Sequence, residues 1–284
     1  MRLKTLTTVI ALMAVPFALM AQDHKESLLQ DLYSLSGMER QMEQLPMIIQ
    51  VGFDQAVDAD NRLKALPRGV IEQMRASIAT VYDPRNIKRT ILRECQAKLN
   101  IDDLNTVLAW LDSPIGHKIT RLEEAASSPD ALAEMQRYAL SLKDAPPTPE
   151  RLDILQQLDT AVKATETGVE VAFNTQIAVA MAVVASLPVE QQPNHAQLTA
   201  TLEQQRPQIR DMVRNQTLIS LLYTYQKVSD AELSEYIAFA ASSAGAIYHD
   251  ASIAGFKAAL LEGGYRWGES IGEILRKSTS KVDV

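Results

Sequence analysis

The chain of 284 residues contains a single cysteine, Cys95, so no disulfide can form within it. The fold must therefore rely on the burial of apolar side chains, and we expect Cys95 to be a small buried hydrophobe. A reactive thiol or a link between two chains is the alternative. Glycine is scarce, with 11 residues, aromatic side chains make up only 5%, and no useful stretch alternates apolar and polar residues. Since Ala, Leu, Gln and Glu are plentiful, the composition predicts an all-α fold.

The sequence also lacks the motifs of several enzyme classes. The histidines form no His-Glu-x-x-His motif and lie at no paired ligand spacing with each other or with Cys95 (they are His24, His117, His195 and His249). The pair Ser242-Ser243 has no Gly-x-Ser-x-Gly frame, and Gly263-Gly264 follows no strand and has no phosphate-loop lysine. We therefore expect no metal, no cofactor and no catalytic residue. An enzyme whose site is assembled from scattered residues, such as His249-Asp250 or His117 near Asp112, remains an alternative.

The first 21 residues have the features of a secretory signal peptide. Arg2 and Lys4 precede an almost uncharged apolar run over 6–20, and Ala21 lies at the predicted cleavage site. The apolar run is shorter than the roughly 20 residues that a spanning helix needs, so we expect no transmembrane span after cleavage. An uncleaved membrane anchor is the alternative. The sequence predicts an exported, periplasmic protein of a Gram-negative bacterium.

The mature chain would be acidic. Its formal charge moves from −7 to −9 when Arg2 and Lys4 are removed. Because an acidic protein repels phosphate backbones, nucleic acid is not expected among its partners.

Proline and glycine positions predict how the chain is organised. The stretch DAPPTPE, residues 144–150, is a stiff non-helical linker between one helical half over 22–143 and a second half with a C-terminal helix over 151–284. Asp83-Pro84 and Thr148-Pro149 predict helix starts. Pro46 is expected to begin a helix, Pro207 to kink one over 196–227, and the glycines near 263–268 to form a turn.

Two stretches with the same unusual pattern indicate an internal duplication. LNIDDLNTVLAWLDSPIG (99–116) aligns without a gap to VSDAELSEYIAFAASSAG (228–245) at a shift of 129 residues, and LLQDL (28–32) aligns to ILQQL (154–158) at a shift of 126. The predicted fold is therefore two tandem helical repeats, which form either two bundles or one elongated body.

The shared motif predicts a helix corner in each repeat. Pro removes a backbone hydrogen bond, Ser can cap the freed groups, Gly permits close approach of another helix, and the aromatic residue anchors its helix in the core. A ligand mouth at these corners is the functional alternative. The motif residues are Trp110, Ser113, Pro114 and Gly116 in the first copy, and Phe239, Ser242 and Gly245 in the second.

This motif resembles that of a family of exported bacterial all-helical domains of unknown function, whose signature is an acidic-leucine start followed by an aromatic residue and Ser-Pro-x-Gly. The match is Asp103-Leu104, Ala109-Trp110, Ser113-Pro114-Ile115-Gly116 and Lys118, and the second copy has Ser243 in place of the proline. The resemblance covers about 40–60 residues of each half. It implies a helical fold and export but no activity.

The sequence is compatible with three functions. The first hypothesis is a non-enzymatic protein that binds a protein or envelope partner, which predicts a filled interior and an exposed apolar patch. The second is a carrier of an apolar small molecule or lipid, which predicts a continuous apolar cavity of a few hundred Å³. The third, an enzyme, predicts histidines that converge with carboxylates.

Two groups of residues have both a structural and a functional interpretation. Met38, Met42 and Met47 could line an adaptable groove rather than pack in the core. A basic helix face could meet anionic lipids rather than solvent, and its residues are Arg85, Lys88, Arg89 and Arg93.

Overall fold

In a computed structural model that describes residues 11–185 and 195–279, the protein is all-α, with fourteen helices and no strand in the described part. The helices are α1 (Ala11–Leu35), α2 (Met38–Ala59), α3 (Asn61–Lys64), α4 (Arg68–Val81), α5 (Pro84–Lys98), α6 (Ile101–Leu111), α7 (Pro114–Ala126), α8 (Pro129–Ser141), α9 (Pro149–Val162), α10 (Ala164–Ala185), α11 (His195–Glu203), α12 (Arg206–Thr224), α13 (Asp230–Ala240) and α14 (Ser243–Thr279).

Two helices begin at the predicted cap and proline pairs. The Arg85 N–H donates to Asp83 Oδ1 at 2.9 Å, and α5 begins at Pro84. The Arg151 N–H donates to Thr148 Oγ1 at 3.2 Å, and α9 begins at Pro149 after a non-helical joint over 142–148. Each cap satisfies a backbone donor that the first helical turn leaves without a partner.

The prediction that Pro46 begins a helix is wrong. Pro46 lies inside α2, which runs without a break from Met38 to Ala59. The apolar side chains of Met42, Leu45, Ile49 and Phe53 form one buried face on either side of the proline. Burial of this face offsets the backbone hydrogen bond that the proline removes.

The predicted turn near 263–268 is also wrong, because α14 continues through it to Thr279. A β-carbon at position 263 would collide with the aromatic ring of Tyr82, so the glycine permits α4 and α14 to pack closely. One turn further on, Trp267 is buried, and its indole N–H donates to the Met74 carbonyl oxygen at 3.2 Å. Packing against α4 therefore holds this glycine-rich stretch in a helix.

The region around Pro207 differs from the predicted kinked helix. It forms two helices, with α11 ending at Glu203 and α12 beginning at Arg206. Pro207 lies in the first turn of α12, where a missing backbone N–H leaves no hydrogen bond unmade. The stretch QQPNH, residues 191–195, which is typical of a loop, lies almost wholly outside the described residues.

The main hydrophobic core draws on both halves of the chain. One cluster of buried side chains includes Leu32, Phe53 and Ile91 from the first half and Leu233 and Trp267 from the second. Helix α14 packs against α4 and α5 of the first half and against α10 of the second. The non-helical joint at 142–148, which overlaps the predicted linker over 144–150, therefore does not separate two independent cores.

The N-terminal segment is described only in part. Residues 1–10 of the predicted signal peptide lie outside the described residues, and α1 runs without a break through the predicted cleavage site after Ala21. Within the described ranges, no helix has both the length and the apolar character needed to cross a membrane.

Candidate functional site

The two copies of the motif form matching helix starts. In the first copy, the Asp103 N–H donates to Asn100 Oδ1 at 2.9 Å, and the Asn100 N–H donates to Asp103 Oδ2 at 3.1 Å. In the second copy, Ser229 and Glu232 exchange the same two hydrogen bonds, at 3.3 and 2.8 Å. These reciprocal caps begin α6 and α13, which are both 11 residues long.

The serines of the motif form the two corners that follow. Ser113 Oγ donates to the Trp110 carbonyl oxygen at 2.6 Å and accepts the Gly116 N–H at 3.0 Å. Ser242 Oγ donates to the Phe239 carbonyl oxygen at 2.6 Å and accepts the Gly245 N–H at 3.1 Å. Each serine thus joins the end of one helix to the start of the next, and the second corner forms without the proline that Pro114 supplies in the first.

Both glycines of the motif face the carbonyl end of the preceding helix. A β-carbon at Gly116 would lie nearest the Trp110 carbonyl oxygen and only 2.7 Å from that of Leu111. At Gly245 it would lie nearest the Phe239 carbonyl oxygen and 2.9 Å from the adjoining carbonyl carbon. The close approach that the sequence predicts is therefore made by α6 or α13 itself rather than by a more distant helix.

The aromatic residues of the two motifs pack on each other. The rings of Trp110 and Phe239 are stacked with centroids 4.2 Å apart and an interplanar angle of 5°. Tyr236 stacks on Trp110 at 5.0 Å. Phe239 lies in the main hydrophobic core and Trp110 packs against it, but the two rings contact each other rather than lying in separate cores.

Left-handed backbone conformations also occur at corresponding places. In the described part of the chain, only Gly37 and Lys163 have a positive φ, of 73° and 55°. They are separated by 126 residues, which is the shift that aligns LLQDL with ILQQL. Each lies immediately before a long helix, α2 or α10.

A half-buried glutamate, Glu123, lies beside the stacked rings, at a position that the sequence-based predictions did not include. The hydroxyl groups of Tyr225 and Tyr236 both donate to Glu123 Oε1, at 2.6 and 3.1 Å. Burial raises the pKa of Glu123 above its ordinary value, and the two tyrosine hydrogen bonds act in the opposite direction. The signal in the sequence was its position one turn after Ile119, on the apolar face of α7.

The main candidate site is a cleft of about 360 Å³, here called the methionine cavity. It lies among α2, α10 and α14, and its apolar wall includes Met38, Met42, Leu45, Ile48, Val171 and Phe256. Of the three methionines noted in the sequence, Met38 and Met42 line this cavity, while Met47 is exposed. The volume falls within the range typical of pockets that enclose small molecules.

A smaller space of about 170 Å³, here called the aromatic cavity, adjoins the first. Trp110, Phe239, Tyr236 and Glu123 line it. The two cavities have common lining residues, namely Met38, Gln41, Val162, Tyr248 and His249. The motif aromatics and Glu123 therefore line a space next to the methionine cavity.

Two buried polar atoms in the methionine cavity have no protein partner. Among the described side chains, only Gln44 Oε1, Glu170 Oε2 and His249 Nε2 are both buried and without a hydrogen bond, and Gln44 and His249 line this cavity. Burial lowers the pKa of His249 to about 4, so its imidazole is neutral near neutral pH. A buried polar group without a partner costs roughly 1–3 kcal/mol, so a ligand that bonded to either atom would recover part of that cost.

A larger cleft of about 700 Å³ lies near the turn between α9 and α10, but its polar groups are largely paired. Lys163 pairs with Asp250, and Glu166 pairs with Arg210. Asp159 accepts the Thr165 N–H at 2.7 Å and its hydroxyl at 2.6 Å. The methionine cavity is therefore the stronger candidate, because it has apolar walls and polar atoms that lack partners.

The histidines do not gather in one cleft. His117 pairs with Asp112 at 3.1 Å on the surface, His249 lines the cavities, and His24 is exposed. The side chain of His195 lies outside the described residues. In the part of the chain that the structure describes, no group of three or more His, Cys, Asp or Glu side chains could hold a metal ion.

The basic face of α5 is largely occupied by neighbouring groups. Arg85 pairs with Asp83 at 2.5 Å, and the Lys88 ammonium lies 4.8 Å from the centre of the Tyr33 ring. Arg89 donates to Asn86 Oδ1 at 2.9 Å. These contacts favour a structural role for the face. Cys95 is buried as predicted, and burial raises the pKa of its thiol to about 11.

In comparisons with known proteins, no family model, curated protein or solved structure matches this chain. The resemblance of the Ser-Pro-x-Gly motif to a family of exported helical domains therefore stays a prediction.

Proposed function

We propose that this protein is an exported, periplasmic binding protein that carries an apolar small molecule in the methionine cavity and catalyses no reaction. The observation that carries the proposal is the cleft of about 360 Å³ with a largely apolar wall. Transfer of apolar ligand surface from water into such a space contributes about 25 cal/mol for each Å² buried. An interior adapted only to protein contacts would instead be filled at crystal-like density.

The lining suits a ligand of variable shape. Met38 and Met42 are unbranched and polarisable, so they adjust to different apolar surfaces. The enzyme hypothesis predicts histidines that converge with carboxylates, and the surface position of His117 beside Asp112, away from the cavity residue His249, does not favour it.

We further propose that the carrier arose from a duplicated helical unit. Three matches support this proposal: the reciprocal caps of α6 and α13, the serine corners that follow them, and the left-handed residues before α2 and α10. The stacked rings of Trp110 and Phe239 would then lie at the junction of the copies. The aromatic cavity beside them would be a product of the duplication.

Export rests on the signal-like first 21 residues, and the resemblance to exported helical domains agrees with it. The single buried thiol, Cys95, leaves the fold independent of the disulfide chemistry of an oxidising compartment.

A second candidate function is the docking of an envelope or protein partner on α2. Met47, Ile48 and Val51 are 42%, 51% and 48% exposed and lie on adjacent turns. Ile48 also lines the methionine cavity, so this apolar face adjoins its mouth. The second function would accompany the first, because a partner on this face would lie where ligand enters.

Mass spectrometry of molecules extracted from protein purified from the periplasm tests the main proposal. We expect an apolar compound to be retained reproducibly by the wild-type protein and lost from Val162→Phe, because Val162 lines both cavities. Ala133→Phe adds the same ring at an exposed position on α8 and serves as the matched control. If no compound is retained, and the protein does not bind the neutral fluorescent probe N-phenyl-1-naphthylamine either, the carrier proposal is wrong.

A further inference from the structure

The polar atoms of the methionine cavity indicate the chemical class of its ligand. Its lining residues include no Lys, Arg, Asp or Glu in the described part of the chain, and His249 is neutral. A charged group that entered this space would lose its water without gaining an opposite charge, which is costly. The ligand should therefore be uncharged inside the cavity.

Three hydroxyl groups in the wall, those of Ser127, Thr167 and Ser252, use their protons within the protein. Thr167 Oγ donates to the Lys163 carbonyl oxygen at 3.0 Å, and Ser252 Oγ donates to that of Tyr248 at 2.8 Å. Ser127 Oγ donates to the Glu123 carbonyl oxygen at 2.8 Å. These three hydroxyl groups leave oxygen lone pairs for a ligand, and Gln44 Oε1 adds a buried acceptor. A ligand that brings a hydrogen-bond donor can satisfy Gln44 Oε1, and one that brings only acceptors cannot.

Resting on the proposed carrier function, we propose that the ligand is an uncharged apolar molecule that ends in a hydroxyl group, which satisfies the buried polar atoms of Gln44 and His249. A hydroxyl group both donates and accepts, so it donates to Gln44 Oε1 and pairs with His249 Nε2 in either tautomer of the imidazole. The hydrocarbon part lies among Met42, Leu45 and Phe256. Long-chain and isoprenoid alcohols belong to this class, whereas fatty-acid anions and ammonium amphiphiles do not.

A series of ligands with similar tails and different ends tests the assignment on the unmodified protein. The ligands are 1-decanol, nonyl methyl ether, decanoate and decylammonium, and each displaces N-phenyl-1-naphthylamine near neutral pH. The ether has the same number of non-hydrogen atoms as the alcohol but cannot donate. We expect decanol to bind about 3–10 times more tightly than the ether, which is the effect of one neutral hydrogen bond. We expect both ions to bind more than about tenfold more weakly than decanol.

Two variants locate the hydroxyl group. In Gln44→Leu and His249→Phe, the advantage of decanol over the ether should shrink toward parity, while the probe itself still binds. Gln73→Leu is the control, because Gln73 is exposed on α4 and lines neither cavity. An unchanged advantage of decanol in both cavity variants would overturn the placement of the hydroxyl group.

The outcomes separate this inference from the proposed function. If decanoate or decylammonium binds as tightly as decanol, the ligand class is wrong, while an apolar carrier still stands. The same holds if the ether equals the alcohol in the unmodified protein. If the probe and all four ligands fail to bind, both the carrier and its ligand class are wrong.

Discussion

A methyl group added at Gly116 should strongly destabilise the protein. The β-carbon of Gly116→Ala would lie nearest the Trp110 carbonyl oxygen and 2.7 Å from that of Leu111, and side-chain β-carbons essentially never approach other heavy atoms within 3.0 Å. These neighbours are backbone atoms, so relief requires α6 and α7 to move apart. Overpacking of this kind costs about 1–3 kcal/mol, and weakening the Ser113 cap costs about 1 kcal/mol more.

The expected loss of about 2–4 kcal/mol is large against a total stability of about 5–15 kcal/mol. A change of 1 kcal/mol shifts Tm by about 2–4 °C in a chain somewhat shorter than this one, so we expect Tm to fall by about 5–15 °C. Thermal unfolding followed by circular dichroism at 222 nm measures the change. Gly245→Ala should behave similarly, because Gly245 faces the end of α13 in the same way.

Gly69→Ala is the matched control. Gly69 lies in the first turn of α4, and a β-carbon there would meet no atom within 4 Å. Since alanine favours a helix over glycine by up to about 1 kcal/mol, this variant should be as stable as the wild type or slightly more so. A Gly116→Ala protein that melts within a degree of the wild type would refute the argument from close packing, as would an equal loss in Gly69→Ala.

Three further predictions concern the buried groups and α2. Because the pKa of Glu123 is raised in the folded state, the contribution of this side chain to stability is full below the ordinary pKa of 4.5 and is lost as pH rises through the folded pKa. The stability of the wild type relative to Glu123→Gln should therefore fall as pH increases from about 4.5. Denaturant unfolding at several pH values that showed a constant or opposite difference would contradict this. Cys95 has a thiol pKa of about 11, so at pH 8 iodoacetamide should label it at least about 100 times more slowly in the native protein than after unfolding, and equal rates would contradict its burial. Pro46→Ala should stabilise the protein by about 1–3 kcal/mol, because it restores a backbone hydrogen-bond donor inside α2. An unchanged or lower midpoint of unfolding in urea would contradict this and show that α2 is adapted to the proline.

The sequence predicts best what depends on local backbone chemistry. Asp83-Pro84 and Thr148-Pro149 begin helices because the cap and the proline act within one helical turn. The burial of Cys95 follows from its small apolar character. The all-α class follows from residue preferences summed over many turns.

Contacts between distant segments explain why some of the sequence-based predictions were wrong. Pro46 lies inside a helix because the face around it is buried, and Gly263 does so because Tyr82, far away in the chain, packs against it. Local propensity contains neither fact, since tertiary packing overrides it. The alignment of the motifs identified Trp110 and Phe239 as equivalent residues, but equivalence in sequence does not reveal that two rings touch.

The candidate site was only partly predictable. Helical spacing brought Met38 and Met42 to one face, and the structure places both in the methionine cavity. Gln44 carried no signal in the sequence, and His249 was noted only as a possible member of an enzyme site. Their lack of hydrogen-bond partners depends on how α2 and α14 pack. The volume of a cleft depends on side chains from several helices, so periodicity within one helix could not give it.

The position of α14 affects the order in which parts of the chain can fold during synthesis. This helix supplies Trp267 to the core beside Met74, so the first half lacks part of its interior until the last-synthesised portion of the described chain has emerged. Contacts between segments so far apart in sequence form slowly, because a long loop must close first. A nascent chain would thus complete its main hydrophobic core only after α14 has been synthesised.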